Sequence, residues 1–274
     1  MGNIKKVATW PLHVMTMELR KLFAYRVDFW FQFLGSTIIN FIIAYFLWQA
    51  IFEAQGITSL KGMSFSYMIF YSLITPLISR LIGNEGFGDI ASDIYHGSLN
   101  KYLLYPLSFL NYAYFAKSIK MLFGYLQVFI ILVLYLFFFS IPKEINFSAF
   151  NFILFVFNIF LAFNFFFLIG ACIEMLAFWA DNVWSLMVML RVTVGLLGGL
   201  FFPLTLFPEK IVVILKFLPF PYLVFYPFKI LVGQLSPLIW AKGMGILLVW
   251  TIFQLLFTKF IWAKGNHQYT GVGI

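Results

Sequence analysis

Residues 84–108 read NEGFGDIASDIYHGSLNKYLLYPLS. The stretch holds Glu85, Asp89 and Asp93, three of the chain's ten acids, together with His96, three glycines and Pro106. On both sides of it lies almost unbroken hydrocarbon. So polar an interval, in a chain that is 63% hydrophobic with mean hydropathy +0.96, belongs outside a bilayer. Asp89 can cap a helical turn beginning at Ile90, and Gly97 suits the position just past a helix end. Ile90 and Ile94 then share one face, a turn apart, while Asp89, Asp93 and His96 meet water or a partner. Pro106 stops any helix that restarts at Leu99. The pattern predicts a short helix over 89–97 on the membrane surface, held between two spanning helices; a solvated loop is the alternative.

Composition rules out soluble domains. Charged residues are 10% of the chain, where a soluble domain has about 25%. Several apolar runs reach the roughly 20 residues that cross a ~30 Å hydrocarbon core. The single Cys172 lies inside such a run, so the chain offers no internal disulfide and no cysteine metal cluster. A net charge of +8 in this context speaks of membrane orientation, not of nucleic-acid binding.

Upstream of the quoted stretch, apolar runs predict a second span at 65–82 and a first at 29–52, with Trp30 and Trp48 near its two ends as interfacial aromatics. Residues 1–27 form a cytoplasmic N-terminal segment with five basic residues and no continuous apolar core. From Pro11, the residues Leu12, Met15, Leu19, Leu22 and Phe23 recur at helical spacing, with Thr9 as cap. They predict an amphipathic helix lying flat on the headgroups. Downstream, spans are expected at 113–141, 147–177, 183–202 and 238–261. The segment 203–237, broken by Pro203, Pro208, Pro219, Pro221, Pro227 and Pro237, carries apolar pieces too short to cross. It reads as re-entrant or interfacial helices. The fold class is therefore an all-α integral membrane protein of six transmembrane helices. Its parts are the N-terminal segment, a spanning domain over 28–262 and a cytoplasmic tail over 263–274.

Six spans place both termini on one side. With that side cytoplasmic, eleven of the eighteen basic residues lie inside and six outside, Arg191 being intramembrane. The bias puts residues 84–108 in the cytoplasm. Glu174 and Arg191 sit at roughly 11 and 15 Å from the turn between the fourth and fifth spans, at 1.5 Å per residue. Similar depths predict an ion pair across that hairpin; an Arg191 that snorkels or faces a wet pathway is the alternative. Gly195 and Gly199 form a G-x-x-x-G spacing, which suits either a contact between two subunits or packing within one.

Catalytic signatures are sparse. The chain has no G-x-x-x-x-G-K-[ST]; Gly83-x-x-Gly86-x-Gly88 lacks the lysine and the preceding strand. The three histidines are scattered, and none has a second ligand at metal spacing. Asp93 and His96 are a conceivable acid–base pair without a nucleophile. They carry the alternative of a membrane enzyme or assembly factor. An ATP-independent channel or carrier is a further alternative, one that should line its path with more intramembrane polar groups.

The order of elements resembles the permease subunits of type-2 ATP-binding-cassette exporters, along the whole chain. One motif is Gly97-Ser-Leu-Asn-Lys-Tyr-Leu-Leu-Tyr-Pro106, similar to that family's glycine, leucine-rich turn and proline entering the third span. Another is Gly198-Gly-Leu-Phe-Phe-Pro203 with Pro208 and Leu218-Pro219, similar to its glycine, aromatic and proline exit from the fifth. The tail 265–273, with Tyr269 and Gly271, looks like a branch near the antibiotic-exporter permeases. The resemblance implies that the 89–97 helix is a coupling helix that docks on a separate ATPase subunit. The coupling residues would be Glu85, Asp89, Ile90, Asp93, Ile94, Tyr95, His96, Gly97 and Leu99. It further implies no cofactor in this chain, with ATP and magnesium bound by the ATPase. A second permease, identical or related, and membrane lipid are the other implied partners. The implied role is export of an apolar or amphipathic substrate across the cell inner membrane.

Overall fold

The computed structural model describes residues 10–84, 86, 88–103 and 108–269. Thr9, Glu85 and Gly271 of the sequence expectations lie outside the described residues. The elements run α1 (Trp10–Ala24), α2 (Arg26–Gln55), a hairpin of β1 (Ser59–Leu60) and β2 (Met63–Ser64), α3 (Phe65–Leu81), α4 (Asp89–Tyr95), α5 (Asn100–Leu103), α6 (Phe109–Phe138) and α7 (Ala149–Glu174). A 3₁₀ turn, Met175–Phe178, prolongs α7. Then follow α8 (Trp184–Leu197), α9 (Glu209–Leu215), α10 (Phe225–Leu231) and α11 (Pro237–Gln268).

Helix starts follow local chemistry. Ser64, Ser108, Ser148 and Ser236 each stand at an N-cap and accept from the backbone amide three residues on. Pro237 occupies the first turn of α11, where its missing N–H is not needed. Among the described residues, four helices are long and apolar enough to cross a membrane: Arg26–Gln55, Phe109–Phe138, Ala149–Phe178 and Pro237–Gln268. Their outward faces are hydrocarbon. Phe31, Ile38, Ile42 and Phe46 of α2, and Val249, Phe253, Leu256 and Phe260 of α11, are all exposed. Such continuous apolar surface is stable only against lipid or another apolar partner.

α3 differs from these four. It is buried on every side, with Tyr67, Phe70, Tyr71, Ile74 and Ile78 in the main core. Its 17 residues reach about 26 Å. Trp48, expected at the interface, is instead buried against α3 and donates its Nε1–H to Ser72 Oγ at 2.8 Å. An indole that finds a partner inside the bundle has no need of the headgroups.

The helix expected over 183–202 ends early, at Leu197. The Leu200 and Phe201 amides fold back onto the Gly195 carbonyl, and Gly199 adopts φ +81°, a region that disfavours side chains. Neighbours satisfy the freed carbonyls. Tyr71 OH donates to Gly199 O, Thr75 Oγ1 lies 3.2 Å from Leu200 O, and the Phe225 amide reaches Gly198 O at 3.0 Å. Gly195 and Gly199 therefore do not share a helical face. A Cβ on Gly195 would meet the Phe201 ring at 2.4 Å, and one on Gly199 the Phe225 Cβ at 3.0 Å, so both glycines pack within their own chain. In the proline-broken segment, Glu209–Leu215 and Phe220–Leu231 meet at a 79° bend.

The bundle is knit at two opposite ends. At one, Lys61 Nζ donates to Thr205 O at 2.9 Å, the Ser64 amide to Glu144 Oε1 at 3.1 Å, and the Asn146 amide to Val232 O at 3.0 Å. Burial alone would push the Glu144 carboxyl up, but hydrogen bonds from Ser64 and from its own backbone amide, with the charge of Lys143, together hold it below the ordinary range. At the other end a separate apolar cluster joins α4 to the near ends of α6, α7 and α11.

Candidate functional site

α4 begins at Gly88, whose φ of +110° turns the chain sharply into the helix. Asp89, expected as the cap, lies inside the first turn, and Gly88 has no side chain to offer the open amides. The cap comes from 84 residues away. Glu174, the last residue of α7, places Oε2 at 2.7 Å from the Ile90 amide and 3.3 Å from the Ala91 amide. Its Oε1 lies 3.1 Å from Lys117 Nζ of α6. The Glu174 side chain is 0% exposed and that of Lys117 is 16% exposed. An isolated carboxylate buried so deeply would be very costly. Two backbone donors and one ammonium make the burial tenable, since charge-assisted hydrogen bonds are the strong ones.

Glu174 thus takes Lys117 as its counter-ion, in place of the Arg191 expected from the depths along the fourth and fifth spans. Arg191 stands on the exposed face of α8. Lys117 enters α6 at the same end at which α7 leaves, and it satisfies the same geometry. The pairing signal was a lysine one turn or two into one apolar run and a glutamate at the close of the next.

The C-terminal end of α4 follows the sequence closely. Gly97 turns left-handed with φ +69°, its amide reaching Ile94 O, and the Leu99 amide returns to Asp93 O at 3.0 Å. Ile90, Ile94 and Leu99 are buried at 0%, 3% and 0% exposure, against Phe167, Ala171 and Met175 of the α7 end. These three of the expected coupling residues are consequently anchors inside the chain and present nothing to a partner. Tyr95 is half-buried and donates its OH to Ala180 O at 3.1 Å; burial pushes that phenol up from its ordinary pKa. Asp89, Ser92 and His96 are exposed, with Asp93 beside them.

Asp93 accepts from Ser98 Oγ and lies 3.5 Å from Lys101 Nζ, while His96 Nδ1 sits 2.9 Å from the Ser92 carbonyl. The structure therefore engages Asp93 and His96 separately and does not join them as an acid–base pair. Among the described residues, no group of three or more His, Cys, Asp or Glu could hold a metal ion.

A cleft of about 360 Å³ separates α4 from α1 and α6, with Glu18 and Lys21 on one wall and Asp89, Asp93, Lys117 and Lys120 on the others. α1 rests on α6 through edge-to-face contacts of Trp10 with Phe115 and Phe23 with Phe123. Glu18 holds Lys21 at 2.5 Å, and this hydrogen bond raises the lysine pKa above its ordinary value. Alternating signs across so narrow a cleft favour complementary contact with another surface.

The family model described as ABC-2 family transporter protein matches residues 38–273. The match starts within α2 and takes in α4, Lys117 and Glu174. Comparison with curated proteins and with solved structures gives no significant match. The buried bundle with its lipid-compatible outer faces and the family match agree, and the chain belongs to the ABC-2 transporter family, as a membrane permease component of an ATP-binding-cassette transporter.

Proposed function

We propose that this chain is the permease of an exporter whose ATP is hydrolysed by a separate ATPase subunit docking on the outer face of α4. The observation that carries the reading is the two-sidedness of α4. One face is locked into the permease by Ile90, Ile94 and the Glu174 cap, and the other exposes Asp89, Ser92 and His96. A hydrogen bond of 2.7 Å leaves little slack. Displacement of α4 by a partner would therefore move the end of α7 directly, and α6 through Lys117. Six helices, including the buried α3 and the short α8, would cross the inner membrane with both termini cytoplasmic. The bent pair Glu209–Leu215 and Phe220–Leu231 would close the outer end of the pathway. ATP and magnesium belong to the ATPase, and two permeases, identical or related, complete the transporter. An apolar or amphipathic cargo fits a bundle whose interior is mostly aromatic and aliphatic.

The test is purification of the tagged full-length chain in mild detergent, with ATP hydrolysis measured on what accompanies it. An ATPase should co-purify. The double variant Asp89→Lys, His96→Asp should lose that activity while the permease keeps its melting temperature, because neither side chain is buried. Undiminished ATPase in the variant, or none with the wild type, overturns the reading.

A further inference from the structure

The hairpin before α3 carries a backbone conformation that its sequence does not favour. Its two central residues, Lys61 and Gly62, have φ of +49° and +79° between the paired Leu60 and Met63. A tight turn with both φ values positive suits Asn-Gly or Gly-Gly, and a lysine in the left-handed region is strained. Among the described residues other than glycine, Lys61 alone has positive φ. What the strained position gains is the reach of its side chain. Lys61 Nζ lies 2.9 Å from Thr205 O and 3.4 Å from Leu206 O, at the closing end of the 3₁₀ turn Leu204–Leu206. An ammonium there meets carbonyls that the turn leaves open. Thr205 Oγ1 adds a contact of 3.7 Å to Met63 Sδ on β2.

What this grip holds down is Leu204. It is 3% exposed, and its Cγ lies 3.2 Å from where a Cβ on Gly199 would stand. Leu204 therefore seats on the point at which α8 breaks. The Phe202 and Phe207 rings, 5.5 Å apart, draw the two ends of the turn together. From within the bundle, α3 holds the same stretch through Tyr71 and Thr75, both buried, on Gly199 O and Leu200 O. From outside the core, the hairpin that runs into the Ser64 cap of α3 holds it through Lys61, which is exposed. An exposed donor exchanges its partner for water at little cost, whereas a buried one cannot. Of these holds, Lys61 is the one built to let go.

We propose that Lys61 is a releasable clasp on the outer end of the transporter, and so a positioning residue of its transport cycle. Engaged, it keeps the turn Leu204–Leu206 down and Leu204 on Gly199. Released, it lets the turn lift and opens the bundle beside the α8 break. The clasp rests on the exporter reading for its side of the membrane and for its trigger, ATP hydrolysis by the docked ATPase.

Hydrogen–deuterium exchange of the full-length protein in mild detergent tests this. The reporters are the Leu200 and Phe201 amides, bonded to Gly195 O, and those of Leu206 and Phe207, bonded to Pro203 O and Leu204 O. Lys61→Asn keeps a residue suited to the left-handed turn while it removes the ammonium. Its melting temperature should match the wild type, and the reporters should exchange about tenfold faster, the loss of one exposed charge-assisted hydrogen bond. Lys61→Arg should restore slow exchange. In the wild-type complex with its co-purified ATPase, ATP should speed the reporters to the rate of the Lys61→Asn variant, and it should add nothing in that variant. Unchanged reporters in Lys61→Asn overturn the clasp. Wild-type reporters that ATP leaves slow would mark a static staple and overturn its release. A chain that purifies without any ATPase fails the exporter reading instead, while Lys61→Asn and Lys61→Arg against the wild type still decide the clasp.

Discussion

Glu174 accepts from two amides and one ammonium, and each of these groups belongs to a different element from its own. Removing one partner of a buried pair costs about 3–5 kcal/mol, and the partial exposure of Lys117 puts this pair at the lower end. We expect Glu174→Gln and Lys117→Gln each to lower the melting temperature in detergent strongly. The double variant should be harmed much less than the two losses combined, because neither charge is then left alone. Arg191→Gln should instead combine additively with Glu174→Gln, within about 0.5 kcal/mol. A cycle in which Arg191 rather than Lys117 couples to Glu174 would reverse the assignment. At this scale the sequence identified Glu174 as a charge needing a partner but pointed to Arg191 and not to Lys117. Packing of α6 against α7 and α4 brings Lys117 to it instead.

Two short elements show why periodicity alone misleads. α4 has the amphipathic pattern expected of a surface helix, and the faces fall as the spacing of Ile90 and Ile94 requires. The error lay in assigning the apolar face to a partner; the chain's own α7 end covers it. α8 is the reverse case. Its sequence stays apolar past Leu197, yet the helix stops because glycine at 198 and 199 lets the chain fold back. Gly199→Ala tests that account. A left-handed position costs a side chain roughly 1–2 kcal/mol, and the new Cβ would crowd Phe225 and Tyr71 OH at 3.0 Å. Thermal stability in detergent should fall, and crosslinking between permease copies should keep its wild-type pattern among molecules that remain folded. A lost crosslink at unchanged melting temperature would return these glycines to a subunit interface.

For the whole molecule, the two knotted ends sort the polar segments into opposite groups. Residues 59–64, 143–146, 205–206 and 232–234 meet at one end, and α4 with the closing turns of α7 and α11 at the other. From the basic bias we expect the second group on the cytoplasmic side. The native Cys172 is buried, which leaves a quiet background for labelling. A cysteine placed by Lys101→Cys should react with an impermeant maleimide only in opened cells, and one placed by Lys143→Cys in intact cells. Both positions are exposed. Labelling of the first in intact cells would invert the molecule and remove α4 from reach of any cytoplasmic ATPase.

The sequence by itself determined that this is a helical membrane protein, where its polar interval lies and which way its short helix divides. Hydropathy and 3.6-residue spacing act locally, and residues such as Ile90, Ile94, Gly97 and the capping serines answer to their near neighbours. It also sufficed for the family, because the order of glycines, prolines and apolar runs is itself a linear pattern. Tertiary structure alone decided that Glu174 caps α4, that Trp48 turns inward to Ser72 and that Gly199 packs against Tyr71 and Phe225. Each of those contacts joins residues 24 or more positions apart. Their energy comes from satisfying a buried polar group or filling a close approach, and the partner that does so is chosen by how whole helices stack.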